Sequence, residues 1–346
     1  MYLHCTSVVL FSSLTDQTNR AFRQTSHYAV TLGVKMFTYF SARTPYEGSQ
    51  RSHEQRSSLL RHGISHMKKL LITDVDNTLF DWVNVWHQSF QAMLDELCRT
   101  SGLKQETLYS SIRAVHQRHG TSEYSFLLEE IPEIKEIFRD SLPSRIQPAI
   151  DAFRAARTEN LQLYPGVKES LTQLRDLGIP IVAYTESQAF YTQYRFRKLG
   201  LDHLIDFVYS PADHALPIDD IQSIRKYSAD NYQLAHTEPR FTPDGELKPN
   251  PHILASILQD MKIDPSDAIY IGDSLMKDIA MAQDAGVDDA WAKYGLADIG
   301  QYDLLKKVSH WSEQDIAREK KIFDGRSIRP SNTLQNGFHE ILNFFQ

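Results

Sequence analysis

From residue 67 onward the chain alternates short, unbroken apolar runs with amphipathic stretches, and this alternation restricts the fold more than any other feature. Leu70-Leu71-Ile72-Thr73, Ile179-Pro180-Ile181-Val182-Ala183-Tyr184, a run near 205–209 and another at 268–271 have the length and apolarity of strands buried on both faces. Val167, Leu171, Leu174 and Leu177 lie on one helical stripe stopped by Gly178, and further helices are expected over 187–199, 251–261 and 276–285. Strand-then-helix alternation predicts an α/β fold, a Rossmann-like parallel sheet with helices on both faces. Residues 84–157 contain no strand-like run. Their apolar stripes (Val85, Phe90, Met93, Leu94 and Leu97; Leu108, Ile112 and Val115) have helical spacing. This block is therefore expected to be an inserted all-helical cap above the carboxyl edge of the sheet, where parallel sheets bind their ligands.

Composition narrows the function. Of 346 residues, Lys and Arg supply 37 and Asp and Glu 44, a net charge of −7 without the basic footprint that nucleic-acid binding needs. No run of 18 apolar residues predicts a membrane span. Cys5 and Cys98 are too few for a disulfide framework or a thiolate metal site, which suits a reducing cytoplasm. Residues 1–66 differ from the rest, with seven basic against three acidic side chains, a net of +4 that leaves −11 for residues 67–346. They lack sustained periodicity, and three readings stay open: translated sequence upstream of a true start at Met67, a disordered extension, or a transit peptide. The α/β core is expected over 67–83 and 158–300, the cap over 84–157, and a helical tail over 301–346, with pieces near 304–308 and 338–345 that dock on the sheet or make a dimer contact. Monomer and homodimer are both compatible with this plan.

Four clusters fall at expected strand ends or helix starts: Asp74-Val75-Asp76-Asn77-Thr78, Thr185, Lys248-Pro249 and Gly272-Asp273-Ser274-Leu275-Met276-Lys277-Asp278. Taken singly each has a plain structural reading: turn former, helix cap, surface lysine, acid at a helix N-terminus. Taken together, adjacent strands bring Asp74, Asp76, Asp273 and Asp278 to one sheet edge, and four carboxylates do not all stay ionised there without a cation. No His or Cys cluster accompanies the acids, so Mg²⁺ is the metal expected, held by a few carboxylates, waters and substrate phosphate oxygens. Thr185, a hydroxyl donor, and Lys248, a point charge, both suit phosphate oxygens.

In order along the chain the motifs read DVDNT, YT, KPNP and GDSLMKD, and over residues 67–297 the sequence resembles the haloacid dehalogenase-like hydrolase superfamily. The helical block between the first two motifs, and LYPGV at 163–167, resemble the subclass I cap of the phosphoglycolate phosphatase-like branch and the return from it. The resemblance implies that Asp74 is a nucleophile that becomes an aspartyl phosphate, and that Asp76 is the general acid and then base. It implies that Thr185 and Lys248 bind the phosphoryl group. Asp74, the Asp76 backbone carbonyl and Asp273 would hold Mg²⁺, with Asp278 completing or supporting the set. The dehalogenase and phosphonatase branches do not keep an Asp at the position of Asp76.

Three departures leave the substrate open. Asn77 stands where Gly is frequent, Glu186 follows Thr185 where Asn is common, and the stretch 210–246, with Asp213, His214, Tyr232 and His236, is longer than usual for the branch. Trp82 and Trp86, with Phe90, follow the nucleophile loop at spacings of four and either touch the leaving group or pack the core. The expected activity is a Mg²⁺-dependent phosphomonoester hydrolase of a small metabolite: phosphoglycolate, a sugar phosphate or a nucleoside monophosphate. A phosphotransferase and a non-catalytic receiver-like protein are the alternatives; a receiver needs neither a lid nor a leaving-group acid.

Overall fold

The computed structural model describes residues 67–213, 228, 232–296, 298–312, 314 and 327–346. The expectations for residues 1–66, and those for His214 and the greater part of the loop that follows it, lie outside the described residues. Strand β1 (Leu70–Thr73) leads through a tight loop into helices α1 (Trp82–Ser101), α2 (Gln105–His119), α3 (Leu127–Glu130), α4 (Pro132–Phe138) and α5 (Leu142–Asn160). Then come α6 (Val167–Asp176), β2 (Ile181–Tyr184), α7 (Ala189–Leu199), β3 (Phe207–Pro211), β4 (Glu238–Thr242), α8 (Pro251–Met261) and β5 (Ala268–Gly272). A π-helical turn (Leu275–Ile279) runs into α9 (Ala280–Asp284), followed by β6 (Asp288–Ala292), α10 (Ile299–Val308), β7 (Asn332–Leu334) and a 3₁₀ segment (Phe338–Phe344).

The seven strands form one parallel sheet in the order β4-β3-β2-β1-β5-β6-β7. The chain winds outward from β1 on one side, returns, and continues from β5 on the other, so β1 and β5 flank the topological switch point where parallel sheets open a crevice. The strands bury alternate residues on opposite faces, as period 2 requires. Leu71, Ile181, Ala183, Ile269 and Ile271 pack with Val167, Leu171 and Leu174 of α6, Phe196 of α7, and Phe338, Ile341 and Phe345 of the tail. Leu70, Ile72, Val182, Tyr184, Ala268 and Tyr270 pack on the other face against Leu254, Ile257 and Leu258 of α8 and Met281 of α9. Each Val, Leu, Ile, Phe and Met among them contributes about 1.5–3 kcal/mol by leaving water.

The inserted helices have their own core, built from Trp86, Phe90, Leu94 and Leu97 of α1, Leu108, Ile112 and Val115 of α2, and Ile146 and Ala149 of α5. Leu304, Leu305 and Val308 of α10 complete it. The helical layer thus begins at Trp82 and ends at Asn160, slightly wider than the periodicity indicates, and borrows one helix from the tail. The tail also supplies β7, paired with β6 through Trp291 and Thr333. Strands β4, β6 and β7 escape the sequence reading because they are edge or near-edge strands: Glu238–Thr242 (EPRFT) and Asn332–Leu334 (NTL) carry no apolar run. Among the described residues no helix is long and apolar enough to cross a membrane.

Candidate functional site

Asp74 is the first residue past β1, and its N–H donates to the Ile271 carbonyl at 2.8 Å, which extends the β1–β5 ladder and sets it beside the end of β5. Asp273 follows β5 directly. The π-helical turn that comes next is what carries Asp278 inward: its wider i→i+5 spacing, seen in the Ile279 N–H to Ser274 carbonyl bond of 3.2 Å, turns a residue of the fourth motif into the crevice. Gly272 makes room for it, since a Cβ there would sit 2.3 Å from the Asp278 Cγ. One carboxylate oxygen from each of Asp74, Asp273 and Asp278 lies within 4.8 Å of the others.

Lys248 holds this cluster together. Its Nζ donates to Asp74 Oδ1 at 2.5 Å and to Asp278 Oδ1 at 2.9 Å, and the ammonium lies 4.8 Å from the Tyr184 ring centroid and 5.6 Å from that of Tyr270. The Tyr270 hydroxyl donates to Asp278 Oδ1 at 2.9 Å, the Ser274 N–H to Asp278 Oδ2 at 3.0 Å, and the Thr78 hydroxyl to Asp74 Oδ2 at 3.0 Å. Burial, reinforced by Asp278 and Asp76 and opposed by Lys248, pushes Asp74 up to about 7. Burial, then Asp278 and Asp74, raises Asp273 well above the carboxylate range. Lys248 is raised despite its burial, because Asp278 and Asp74 favour its charge. A hard divalent cation fits this donor set: the ligands are all oxygens, they are preassembled, and one lysine does not offset three acids.

Asp76 faces elsewhere. Its Oδ2 accepts from Thr185 Oγ1 at 3.1 Å and from Ser187 Oγ at 2.7 Å, and its Oδ1 from Arg195 Nη1 at 3.3 Å. Its carboxylate therefore stands outside the acidic cluster, so any share in metal binding falls to its main-chain carbonyl. Asn77 occupies the left-handed region with φ 59°, a conformation Asn and Gly tolerate, and its Oδ1 accepts the Val83 N–H at 3.2 Å. Glu186 accepts from the Lys248 N–H and from Lys277 Nζ, both at 2.8 Å, so it ties the lysine loop to the fourth motif.

The structure brings Asp74, Lys248, Asp273 and Asp278 together and sets Asp76 and Thr185 beside them. Trp86 walls a small gap of about 10 Å³, room for one water, shared with Glu123, Arg157, Tyr191, Tyr194 and Arg195. Its indole N–H donates to the Ser122 carbonyl at 3.0 Å. Trp82 packs between the sheet core and the cap core. Sequence reasoning misses Arg195 and Glu123. For Arg195 one signal exists: it falls on the α7 face defined by Ala189, Thr192, Phe196 and Leu199, where a cation is out of place. Glu123 gives none.

The sequence model of haloacid dehalogenase-like hydrolases matches residues 68–286. Two archaeal proteins named glyceraldehyde 3-phosphate phosphatase are similar in sequence. That of Methanopyrus kandleri is 25% identical over 228 residues, 64% of this chain and 82% of that protein. That of Pyrococcus abyssi is 22% identical over 234 residues, 66% of this chain and 83% of the other. A solved 2-haloacid dehalogenase of Pseudomonas syringae superposes with a TM-score of 0.45 at 19% identity, covering 80% of this chain and 98% of that one. With its motifs gathered at the switch point of the sheet and the family's sequence model spanning most of both layers, the chain belongs to the haloacid dehalogenase-like hydrolases.

Proposed function

We propose that the protein is a Mg²⁺-dependent phosphomonoester hydrolase that works through an aspartyl phosphate on Asp74 and acts on a small phosphorylated metabolite. One observation carries this reading: two carboxylates of the same loop have opposite surroundings. Asp74 meets Lys248 and the other acids, whereas Asp76 turns toward the cap and a set of neutral and cationic donors. The division sets Asp74 on the metal and phosphate side of the loop and Asp76 on the cap side, where a leaving group would receive its proton. An Asp74 oxygen attacks phosphorus while the bond to the leaving alkoxide breaks, and Asp76 gives that alkoxide its proton. Asp76 then takes a proton from the water that attacks the acyl phosphate, which releases phosphate and restores Asp74. Lys248 holds Asp74 in place and offsets charge on the phosphoryl oxygens; Thr185, whose one hydroxyl proton goes to Asp76 in the structure, turns it to one of them when the phosphate is bound. Asp74, Asp273 and the Asp76 main-chain carbonyl would hold Mg²⁺ with Asp278 in support, and the bound ion supplies a divalent charge that draws in the phosphate and neutralises the acids.

The names of the archaeal relatives put glyceraldehyde 3-phosphate first in a screen, beside phosphoglycolate, sugar phosphates and nucleoside monophosphates. The test is Mg²⁺-dependent phosphate release over that panel by the parent and by Asp74→Asn. The variant should stay folded and keep below about 1% of the parent turnover, because an amide forms no phosphoenzyme. Turnover above a few per cent would refute the nucleophile.

A further inference from the structure

We propose that Arg195 and Glu123 are positioning residues: the cap carboxylate holds the guanidinium, and the guanidinium aims Asp76, so the proton carrier is set only when the cap is seated. The inference rests on the reading of Asp76 as the leaving-group acid. Arg195 is 4% exposed, and a charge so buried must be paired. Its two carboxylate partners come from different layers. Nη1 donates to Asp76 Oδ1 at 3.3 Å in the core, and Nη2 donates to Oε1 of Glu123, in the cap segment between α2 and α3. Nη1 also donates at 2.9 Å to Ser187 Oγ, whose own proton goes to Asp76 Oδ2. Both Asp76 oxygens are thus oriented, directly or through Ser187, by one guanidinium.

That guanidinium has little freedom. It lies over the Phe80 ring at 5.5 Å and near Tyr191 at 5.8 Å, and its planar fork fixes the direction of each N–H. The cap segment is anchored on either side of Glu123, by the Trp86 indole on the Ser122 carbonyl at 3.0 Å and by the 3.0 Å bond between the Ser125 and Tyr191 hydroxyls. Glu123 and Arg195 also line the small gap walled by Trp86 and Tyr191. Without Glu123 the buried cation would bear on Asp76 alone; without Arg195 two half-buried carboxylates would face each other.

A purely structural pair and a positioning pair differ in which substrates suffer. The assay compares kcat and KM for glyceraldehyde 3-phosphate, an alkyl ester that needs its leaving group protonated, with those for p-nitrophenyl phosphate, which does not. Glu123→Gln and Arg195→Lys should each lower kcat on the alkyl ester by roughly tenfold or more while changing the aryl ester by under about threefold. Asp76→Ala should show the same selectivity in larger measure. The Glu123→Leu/Arg195→Met double variant replaces the pair by apolar groups of similar size; it should melt near the parent temperature yet keep the alkyl-selective loss. Equal losses on both esters in Glu123→Gln and Arg195→Lys, or alkyl turnover restored in the double variant, would overturn the positioning role. If Asp76→Ala itself loses both esters equally, the acid assignment falls and the positioning role with it. If Asp76→Ala is selective and the pair is not, the acid stands and only the positioning role fails.

Discussion

Gly295→Ala should cost this enzyme far more activity than stability, and the size of the effect follows from one contact. Gly295 closes the 3₁₀ turn Lys293–Gly295 after β6, and a Cβ there would lie 1.8 Å from the Asn77 carbonyl oxygen and 3.0 Å from its carbon. Ordinary contact begins near 3.4 Å, so the two backbones must separate by about 1.6 Å. Neither side gives easily. Asn77 is held by the Val83 N–H on its Oδ1 at 3.2 Å, and the next residue by the Tyr294 hydroxyl on the Thr78 carbonyl at 2.7 Å. Overpacking of this kind costs about 1–3 kcal/mol, a fall in melting temperature of roughly 2–12 °C for a chain of this size. The loop that moves carries Asp74 and Asp76, and a misplacement of about 1 Å at reacting groups costs about 100-fold in rate. The assay is phosphate release at 20 °C, where the variant is still folded, alongside a thermal melt. A kcat within about twofold of the parent would refute the claim that this contact fixes the loop of Asp74 and Asp76.

EDTA should abolish turnover and Mg²⁺ restore it, with Ca²⁺ restoring little because its looser coordination misplaces the phosphoryl group. Independently of activity, Mg²⁺ should raise the melting temperature by relieving the crowding of Asp74, Asp273 and Asp278, and Asp273→Asn should lose most of that shift; a melt indifferent to Mg²⁺ would count against the site. His116 provides a pH signature away from the reaction: burial pushes it down to about 4, and its ring bonds the Val308 carbonyl at 2.6 Å, joining α2 to α10. A histidine depressed in the fold binds its proton more weakly there than in the unfolded chain. Stability is therefore lost as pH falls from the ordinary value near 6.5 toward 4, by up to about 3 kcal/mol. His116→Gln should flatten the melting curve over that range relative to the parent; identical pH dependence in both proteins would exclude His116 as the cause.

How far the amino-acid pattern reaches is clearest at the site itself. Asp74 and Asp273 follow directly upon buried strands whose apolar runs stand out, so their place at the carboxyl edge can be read from linear pattern plus the rule for parallel sheets. Asp278 is readable as a motif residue but not as an inward-facing one, because an ordinary helix over 276–285 would not predict the π-helical turn that carries it into the crevice. Thr185 is readable as a strand-end hydroxyl, while its bond to Asp76 depends on the rotation of a side chain that linear pattern does not encode.

By itself the sequence determined the strand–helix alternation, the helical insertion and the acids at the strand ends, because local periodicity and residue type decide which segments bury which face. Only the tertiary structure decided that α10 completes the cap core, that β7 extends the sheet, and that Asp76, Arg195 and Glu123 meet. Those three residues lie in three separate segments, and no local pattern reports a contact whose only cause is that a buried guanidinium must find carboxylates wherever the packed layers bring them.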